Sequence, residues 1–85
     1  MRLTKNVRQQ ILNQNEGFQY KTHYSGRNAE WERFYTVSGG QLHIREVGDT
    51  SWADSDYDRE WIASDEEVHS FLYEYSWMMN LSGLE

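Results

Sequence analysis

The chain contains neither cysteine nor proline in its 85 residues. Without thiols there can be no disulfide bond, thiolate zinc site or cysteine nucleophile, and an intracellular setting is expected. No apolar run approaches the roughly 20 residues of a membrane-spanning helix, and the amino terminus lacks the charged-then-apolar pattern of a signal peptide. We therefore expect a cytoplasmic protein that does not engage a membrane.

Aromatic residues are abundant instead, with three Phe, four Trp and six Tyr in a chain that is only 38% apolar. Each aromatic side chain buries a large area, so the predicted core is aromatic. A chain of this length has room for one core, which predicts a single domain over residues 1–85.

Charge is divided unevenly along the chain, whose net charge is -6. Residues 1–45 hold seven lysines and arginines against three glutamates, a net charge of +4. Residues 46–85 hold one arginine against eleven acidic residues, a net charge of -10. This asymmetry predicts an acidic surface that attracts a basic partner.

A first helix is predicted near the amino terminus from apolar residues at helical spacing. These residues are Leu3, Val7, Ile11 and Leu12. Thr4 is placed to cap the free amides of the first turn, and Asn15 and Gly17 are expected to end the helix.

A second helix is predicted near the carboxyl terminus. Ser64 and Glu67 have the spacing of a capping box, and Asp65 and Glu66 suit the positive end of the helix dipole. The apolar stripe of this helix consists of Val68, Phe71, Leu72, Tyr75, Met78 and Met79. Gly83 is expected to end it.

Three strands are predicted between the helices from alternating, aromatic and β-branched residues. They span residues 18–25, 31–37 and 42–47. Gly39 and Gly40 tolerate the positive φ of a tight hairpin turn. Residues 48–51 are expected to close the meander and residues 52–58 to form an acidic loop, while residues 59–63 fit either a fourth strand or a loop. The prediction is a two-layer α+β domain: an N-terminal helix, a three- to four-stranded antiparallel meander and a C-terminal amphipathic helix, with both helices on one sheet face.

Motifs that would name a reaction are missing. The sequence has no Gly-x-Ser-x-Gly elbow, no phosphate-binding glycine loop with its lysine and no His-Glu-x-x-His. The three histidines, His23, His43 and His69, fall on different predicted elements, without the close spacing of a zinc site. We expect a protein that is not an enzyme and has no cofactor.

A run of alternating acidic residues has part of the pattern of a calcium loop. The run consists of Asp54, Asp56, Asp58 and Glu60. Arg59 stands where such a loop needs glycine, and Asp65 where it needs a bidentate glutamate. The pattern therefore favours a solvated loop or a protein-contact surface over a site for calcium or magnesium.

Aromatic and basic residues are interleaved in the predicted strands, as in platforms that bind single-stranded nucleic acid. The residues concerned are Tyr20, Tyr24, Trp31, Phe34, Tyr35, Lys21, Arg27, Arg33 and Arg45. The same rings are also needed for the core, and Glu30 and Glu32 between them are expected to repel phosphate.

The second helix has more aromatic residues than its core stripe requires. His69, Tyr73 and Trp77 recur at four-residue spacing on a face turned away from that stripe. Tyr and Trp are enriched at the centres of protein interfaces, so Tyr73 and Trp77 are predicted to be partly exposed and to contact a partner. The alternative is that the small domain wraps its core around these side chains as well.

The chain resembles small acidic phage proteins that block host machinery by contact, among them anti-CRISPR and anti-restriction inhibitors. The resemblance lies in architecture and charge over the whole chain, and no specific family motif is matched. It is carried by the Gly39-Gly40 turn, the acidic run 54–58 and the capped helix start 64–67. Because the amino-terminal half is basic, any imitation of DNA phosphates is confined to residues 46–67.

These features lead to one main functional hypothesis. We expect a non-enzymatic inhibitor or adaptor that docks residues 46–67 on a basic surface of a nucleic-acid-handling host protein. A second copy of the chain is an alternative partner, and a regulatory module that binds nucleic acid or a partner through its sheet is an alternative function. The candidate contact residues are Glu46, Asp49, Asp54, Asp56, Asp58, Glu60, Asp65, Glu66, Tyr73 and Trp77.

Overall fold

The computed structural model describes residues 2–27, 29–50 and 57–83, which form two α-helices, a four-stranded sheet and a short 3-10 helix. The helices are α1 (Lys5–Gln14) and α2 (Asp65–Tyr75). The strands are β1 (Gln19–Ser25), β2 (Ala29–Ser38), β3 (Gln41–Thr50) and β4 (Tyr57–Ile62). The strands pair antiparallel in chain order, and this confirms the predicted α+β meander.

Both predicted helix caps are present. The Thr4 hydroxyl accepts a hydrogen bond from the Val7 N–H at 3.2 Å. At the start of α2, the Glu67 N–H donates to the Ser64 hydroxyl at 3.3 Å, and the Ser64 N–H donates to the Glu67 carboxylate at 3.0 Å. This reciprocal pair satisfies amides that the helix itself leaves without acceptors.

Replacing Ser64 with alanine is expected to lower the free energy of unfolding by about 1 kcal/mol, because the first turn of α2 loses a side-chain acceptor. Urea unfolding followed by circular dichroism measures the change. Ser70→Ala is the matched control, since Ser70 is exposed in the same helix. Equal midpoints for the two variants would show that the cap adds nothing to stability.

The end of the second helix differs from the prediction. Helix α2 stops at Tyr75 and the 3-10 helix Ser76–Met78 follows, so Gly83 does not end it. The cause is a tertiary contact with the buried Asn15, which follows α1. Its side-chain oxygen accepts from the Asn80 N–H at 2.8 Å, and its side-chain nitrogen donates to the Asn80 carbonyl at 2.9 Å. These bonds hold the chain in a non-helical path that the local sequence does not indicate.

The third and fourth strands also differ from the prediction. Strand β3 runs to Thr50, where the meander was expected to close, and β4 begins at Tyr57, so Tyr57 and Asp58 are not in a loop. Residues 59–62 are strand, which decides between the two alternatives left open. The register explains the extension, because Thr50 lies opposite Ala29 and Tyr57 opposite Gly48. The rest of the predicted acidic loop, residues 51–56, lies outside the described residues.

The core lies between the helices and one face of the sheet, called here the inner face. Its buried apolar residues are Ile11, Leu12, Val37, Leu42, Ile44, Val68, Phe71, Leu72 and Met79. Phe71 is central to it, with its ring centroid 4.6 Å from that of Tyr35 and 6.4 Å from that of Phe18. The buried core is therefore mostly aliphatic, and not aromatic as predicted: Phe71 is the one ring among these buried residues, and the other rings border them.

The helices cover only one end of the inner face. The molecule measures 48 × 22 × 19 Å, and its long strands extend beyond the core. The last cross-strand row packed against the core consists of Tyr20, Tyr35, Ile44 and Trp61. Two further rows of the inner face lie beyond it and contribute no apolar residue to the core.

Candidate functional site

Two aromatic side chains project from the carboxyl-terminal helical segment into solvent. Tyr73 in α2 and Trp77 in the 3-10 helix are each 76% exposed, and this confirms the predicted exposure. His69, one turn before Tyr73, is exposed as well. The neighbouring Leu72 is fully buried, so the helix separates a core stripe from an aromatic outer face within a single turn.

Every formal charge on this helical segment is negative. Residues 65–78 contain four carboxylates and no lysine or arginine, and Asp65, Glu66 and Glu74 are exposed. The fourth carboxylate, that of Glu67, accepts a hydrogen bond in the capping box. Hydrogen bonds, first from the Ser64 backbone N–H and then from the Trp61 indole N–H at 3.1 Å, outweigh partial burial and lower the pKa of the Glu67 carboxyl.

The other acidic residues predicted to contact a partner differ in their position on the sheet and in whether they bind an arginine. Glu60 is exposed on the outer face of the sheet, the face opposite the core. Asp58 is exposed but bound to Arg45, with distances of 3.1 and 2.7 Å from its two carboxylate oxygens to Nε and an Nη atom, and this bond lowers its pKa. Asp54 and Asp56 lie outside the described residues, as does the side chain of Asp49 in β3.

Glu46 was predicted to contact a partner, and the structure contradicts this because its side chain is buried. One oxygen accepts from Arg33 Nε at 2.8 Å and from a second Arg33 nitrogen. The other accepts from Arg59 at 2.8 Å and from the Tyr57 hydroxyl at 2.9 Å. Burial opposes ionisation, but these hydrogen bonds and the attraction of Arg33 outweigh it and lower the pKa of Glu46. Glu46 therefore organises its neighbours and is not a surface charge.

The residues around Glu46 form the two rows of the inner face beyond the core. The register places Thr22, Arg33, Glu46 and Arg59 in the first row. It places Tyr24, Trp31, Gly48 and Tyr57 in the second, which is the farther row from the helices. We call the set Tyr24, Trp31, Tyr57, Arg33 and Arg59 the aromatic–arginine platform.

Ring and guanidinium planes are close together in this platform. The Tyr24 and Trp31 rings stack with centroids 5.3 Å apart and an interplanar angle of 16°. The Arg33 guanidinium carbon lies 5.1 Å from the Trp31 ring centroid, and that of Arg59 lies 5.1 Å from the Tyr57 ring centroid. Contacts of this kind are attractive between a cation and the face of an aromatic ring.

The predicted nucleic-acid set is divided between the two faces of the sheet. Tyr20 and Tyr35 pack beneath α2, where both lie near the Tyr75 ring. Lys21, Phe34 and Arg45 belong to the outer face, because successive side chains of a strand point to opposite sides. Trp61, Arg59 and Tyr57 were not in the set, since β4 has too few residues for its alternation to be recognised.

Glu30 and Glu32 were expected to interrupt the aromatic and basic surface, and the register shows that they do not. Both belong to the outer face, where His23 lies 3.6 Å from Glu30 and 3.8 Å from Glu32. Lys21 lies 3.7 Å from Glu32 on the same face. The acidic residues of β2 are therefore on the opposite side of the sheet from the platform.

Neither a metal centre nor a membrane-spanning helix is found within residues 2–27, 29–50 and 57–83. In that part of the chain no three His, Cys, Asp or Glu side chains converge on a point where an ion would be held. None of its helices is both long and apolar enough to cross a bilayer.

Comparison with known proteins gives no relative from which a role could be transferred. Neither the protein-family models, nor the curated proteins, nor the solved structures contain a match to this chain.

Proposed function

We propose that the protein is a non-enzymatic inhibitor or adaptor that binds another protein through the solvent-exposed side of the helical segment 65–78. The observation that carries the proposal is the pair Tyr73 and Trp77, each 76% exposed on a segment whose formal charges are all negative. Large aromatic side chains left in solvent at this exposure contribute little to the fold. At the centre of an interface, tyrosine and tryptophan are the residues that most often dominate the binding energy.

The charges around these aromatic residues define the chemistry of the partner. Asp65, Glu66 and Glu74 are exposed carboxylates on the same helical segment, so the matching surface is basic and has apolar pockets for two rings. Nucleic-acid-handling proteins present basic surfaces of this kind. We propose such a protein as the target, in the cytoplasm, and the likeness to small phage inhibitors is part of the same proposal.

Part of the acidic segment 46–67 is not available to a partner. Glu46 is buried and Asp58 is bound to Arg45, so neither is a free surface charge. Glu60 is exposed on the outer face of the sheet, away from α2, so among the described residues the contribution of segment 46–67 is carried by Asp65 and Glu66. We therefore propose a contact made by two aromatic side chains and the carboxylates near them, and not an extended imitation of a DNA strand.

Replacing Trp77 with alanine is expected to weaken binding of the partner by about 2 kcal/mol, or roughly 30-fold in Kd. The immobilised protein is first used to capture partners from extracts of the source cells and of their hosts. Affinity is then measured by calorimetry with the purified partner. The stability of the variant should change by no more than about 0.5 kcal/mol, because the side chain is mostly exposed.

Ile62→Ala is the matched control, since Ile62 is another exposed apolar residue but lies on the outer face of the sheet. Glu66→Gln combined with Glu74→Gln should slow association, and added salt should have the same effect on the unchanged protein. A partner that is bound equally well by the Trp77→Ala and Ile62→Ala variants would contradict the proposed surface.

A further inference from the structure

The aromatic–arginine platform is a second surface, separate from Tyr73 and Trp77, in which Tyr24 and Arg59 are exposed and the other three residues are half-buried. We propose that it binds single-stranded nucleic acid, with bases stacked on its rings and phosphates paired with its guanidinium groups. This goes beyond the proposed function, because it adds a different ligand on a different face of the molecule.

The platform offers the flat surfaces that bases need. Tyr24 and Trp31 already stack on each other, and Tyr57 lies in the same row across the sheet. Gly48 lies between Trp31 and Tyr57, and a Cβ there would be 2.7 Å from the Trp31 Cβ and 2.8 Å from the Tyr57 hydroxyl. Because Gly48 has no side chain, Trp31 and Tyr57 can lie side by side on the sheet. Bases of any sequence can stack on rings arranged in this way.

The charge of this face also suits a phosphate backbone. Arg33 and Arg59 share the single carboxylate of Glu46, so these three groups have a net charge of +1. The Arg59 side chain is 65% exposed, and Arg27 is exposed in the turn that follows β1 at the same end of the sheet. A guanidinium has five N–H donors, so Arg59 can bind Glu46 and a phosphate together.

Carboxylates limit the platform on the side of the helix. Glu66, Glu67 and Glu74 line the crevice between α2 and Arg33, so a bound strand is expected to cross the sheet on the side away from α2. These residues also make the two proposals separable. Neutralising Glu66 and Glu74 should strengthen binding of a nucleic acid, because it removes repulsion of the phosphates. It should weaken binding of a basic protein, because it removes an attraction.

The experiment titrates the full chain into a fluorescein-labelled oligothymidylate of about ten nucleotides and follows fluorescence anisotropy at low salt. Trp31→Ala and Tyr24→Ala are each expected to lower the affinity at least fivefold, through loss of a stacking contact. Tyr24 lies on an edge strand and is 47% exposed, so its variant keeps the test valid if Trp31→Ala unfolds. Ile62→Ala, on the outer face, is the control and should bind as the unchanged protein does.

Two further results distinguish this proposal from the proposed function. Glu66→Gln combined with Glu74→Gln should raise oligonucleotide affinity about twofold, whereas the same variant should weaken a basic protein partner. If the exposed Arg27 and Arg59 each neutralise one phosphate, the logarithm of affinity should fall with the logarithm of salt concentration with a slope of about -1.4. No anisotropy change with folded protein in excess, equal binding of a duplex of the same length, or unchanged affinity of both aromatic variants would overturn the proposal.

Discussion

Replacing Leu72 with alanine is expected to lower the free energy of unfolding by about 2–5 kcal/mol. Leu72 is fully buried in the core between α2 and the sheet. The substitution removes apolar contacts and leaves a cavity that the packed neighbours fill only in part. Since domains are stable by only about 5–15 kcal/mol, this change removes a large share of the total.

Tyr73→Ala is the matched control for this prediction. It truncates the next residue of the same helix, whose side chain is 76% exposed, and should change the free energy of unfolding by no more than about 0.5 kcal/mol. Urea midpoints of both variants, measured at one pH, make the comparison. Similar losses in the two variants would mean that α2 is buried on both faces, and Tyr73 would then not be available to a partner.

Replacing Glu46 with glutamine is expected to lower the free energy of unfolding at neutral pH by about 2–3 kcal/mol. The substitution keeps the size of the side chain but leaves Arg33 and Arg59 without their shared carboxylate, and breaking a buried charged network is costly. The expected loss is smaller than the roughly 3–5 kcal/mol typical of a broken buried ion pair, because Arg59 is mostly exposed and water solvates it after the change.

Asp58→Asn is the matched control for Glu46. Asp58 also binds an arginine through both carboxylate oxygens, but the side chains of Asp58 and Arg45 are 54% and 53% exposed. Exposed pairs of this kind contribute about 0–1 kcal/mol. A loss for Glu46→Gln as small as that for Asp58→Asn would show that the buried network does not stabilise the sheet.

The contribution of Glu46 should also depend on pH. Its pKa is lowered in the folded protein from an ordinary value of 4.5, so the folded state binds its proton less readily than the unfolded state does. The stabilisation is fully present above about pH 4.5 and is lost as the pH falls through the lowered native pKa. The stability difference between the unchanged protein and Glu46→Gln should therefore shrink in acid, as measured by urea unfolding at a series of pH values. A difference that is constant down to the acid limit would contradict this assignment.

Much of the fold could be predicted from the sequence because it depends on neighbours along the chain. The caps at Thr4 and Ser64 are satisfied by amides three residues away. The Gly39-Gly40 turn needs a positive φ at both positions, and both have it. The outward position of Tyr73 and Trp77 follows from helical geometry, and it survives the change to a 3-10 helix after Tyr75.

Less of the candidate sites could be predicted, since their residues come together only across strands. Nothing near Glu46 in the sequence distinguishes it from exposed acidic residues, and its three partners lie 11 to 13 residues away. Glu30 and Glu32 are next to Trp31 and Arg33 in the sequence, but strand alternation puts them on the opposite face of the sheet. Tyr57 and Arg59 belong to the platform because β4 pairs with β3. The six residues of β4 are too few to show the two-residue period of a strand clearly in the sequence.

The sequence by itself determined the type and order of the helices, the first three strands, the hairpin turn and the aromatic face of α2, because each follows from periodicity or from a bond within a few residues. Only the tertiary structure decided that β3 and β4 are extended by pairing, that Asn15 ends the helical path by holding Asn80, and that Glu46 is buried between two arginines. The physical reason is the same in each case. A hydrogen bond or ion pair between distant segments replaces the water that would otherwise bind those groups. The register of the sheet and the packing of α1 against it determine which groups meet.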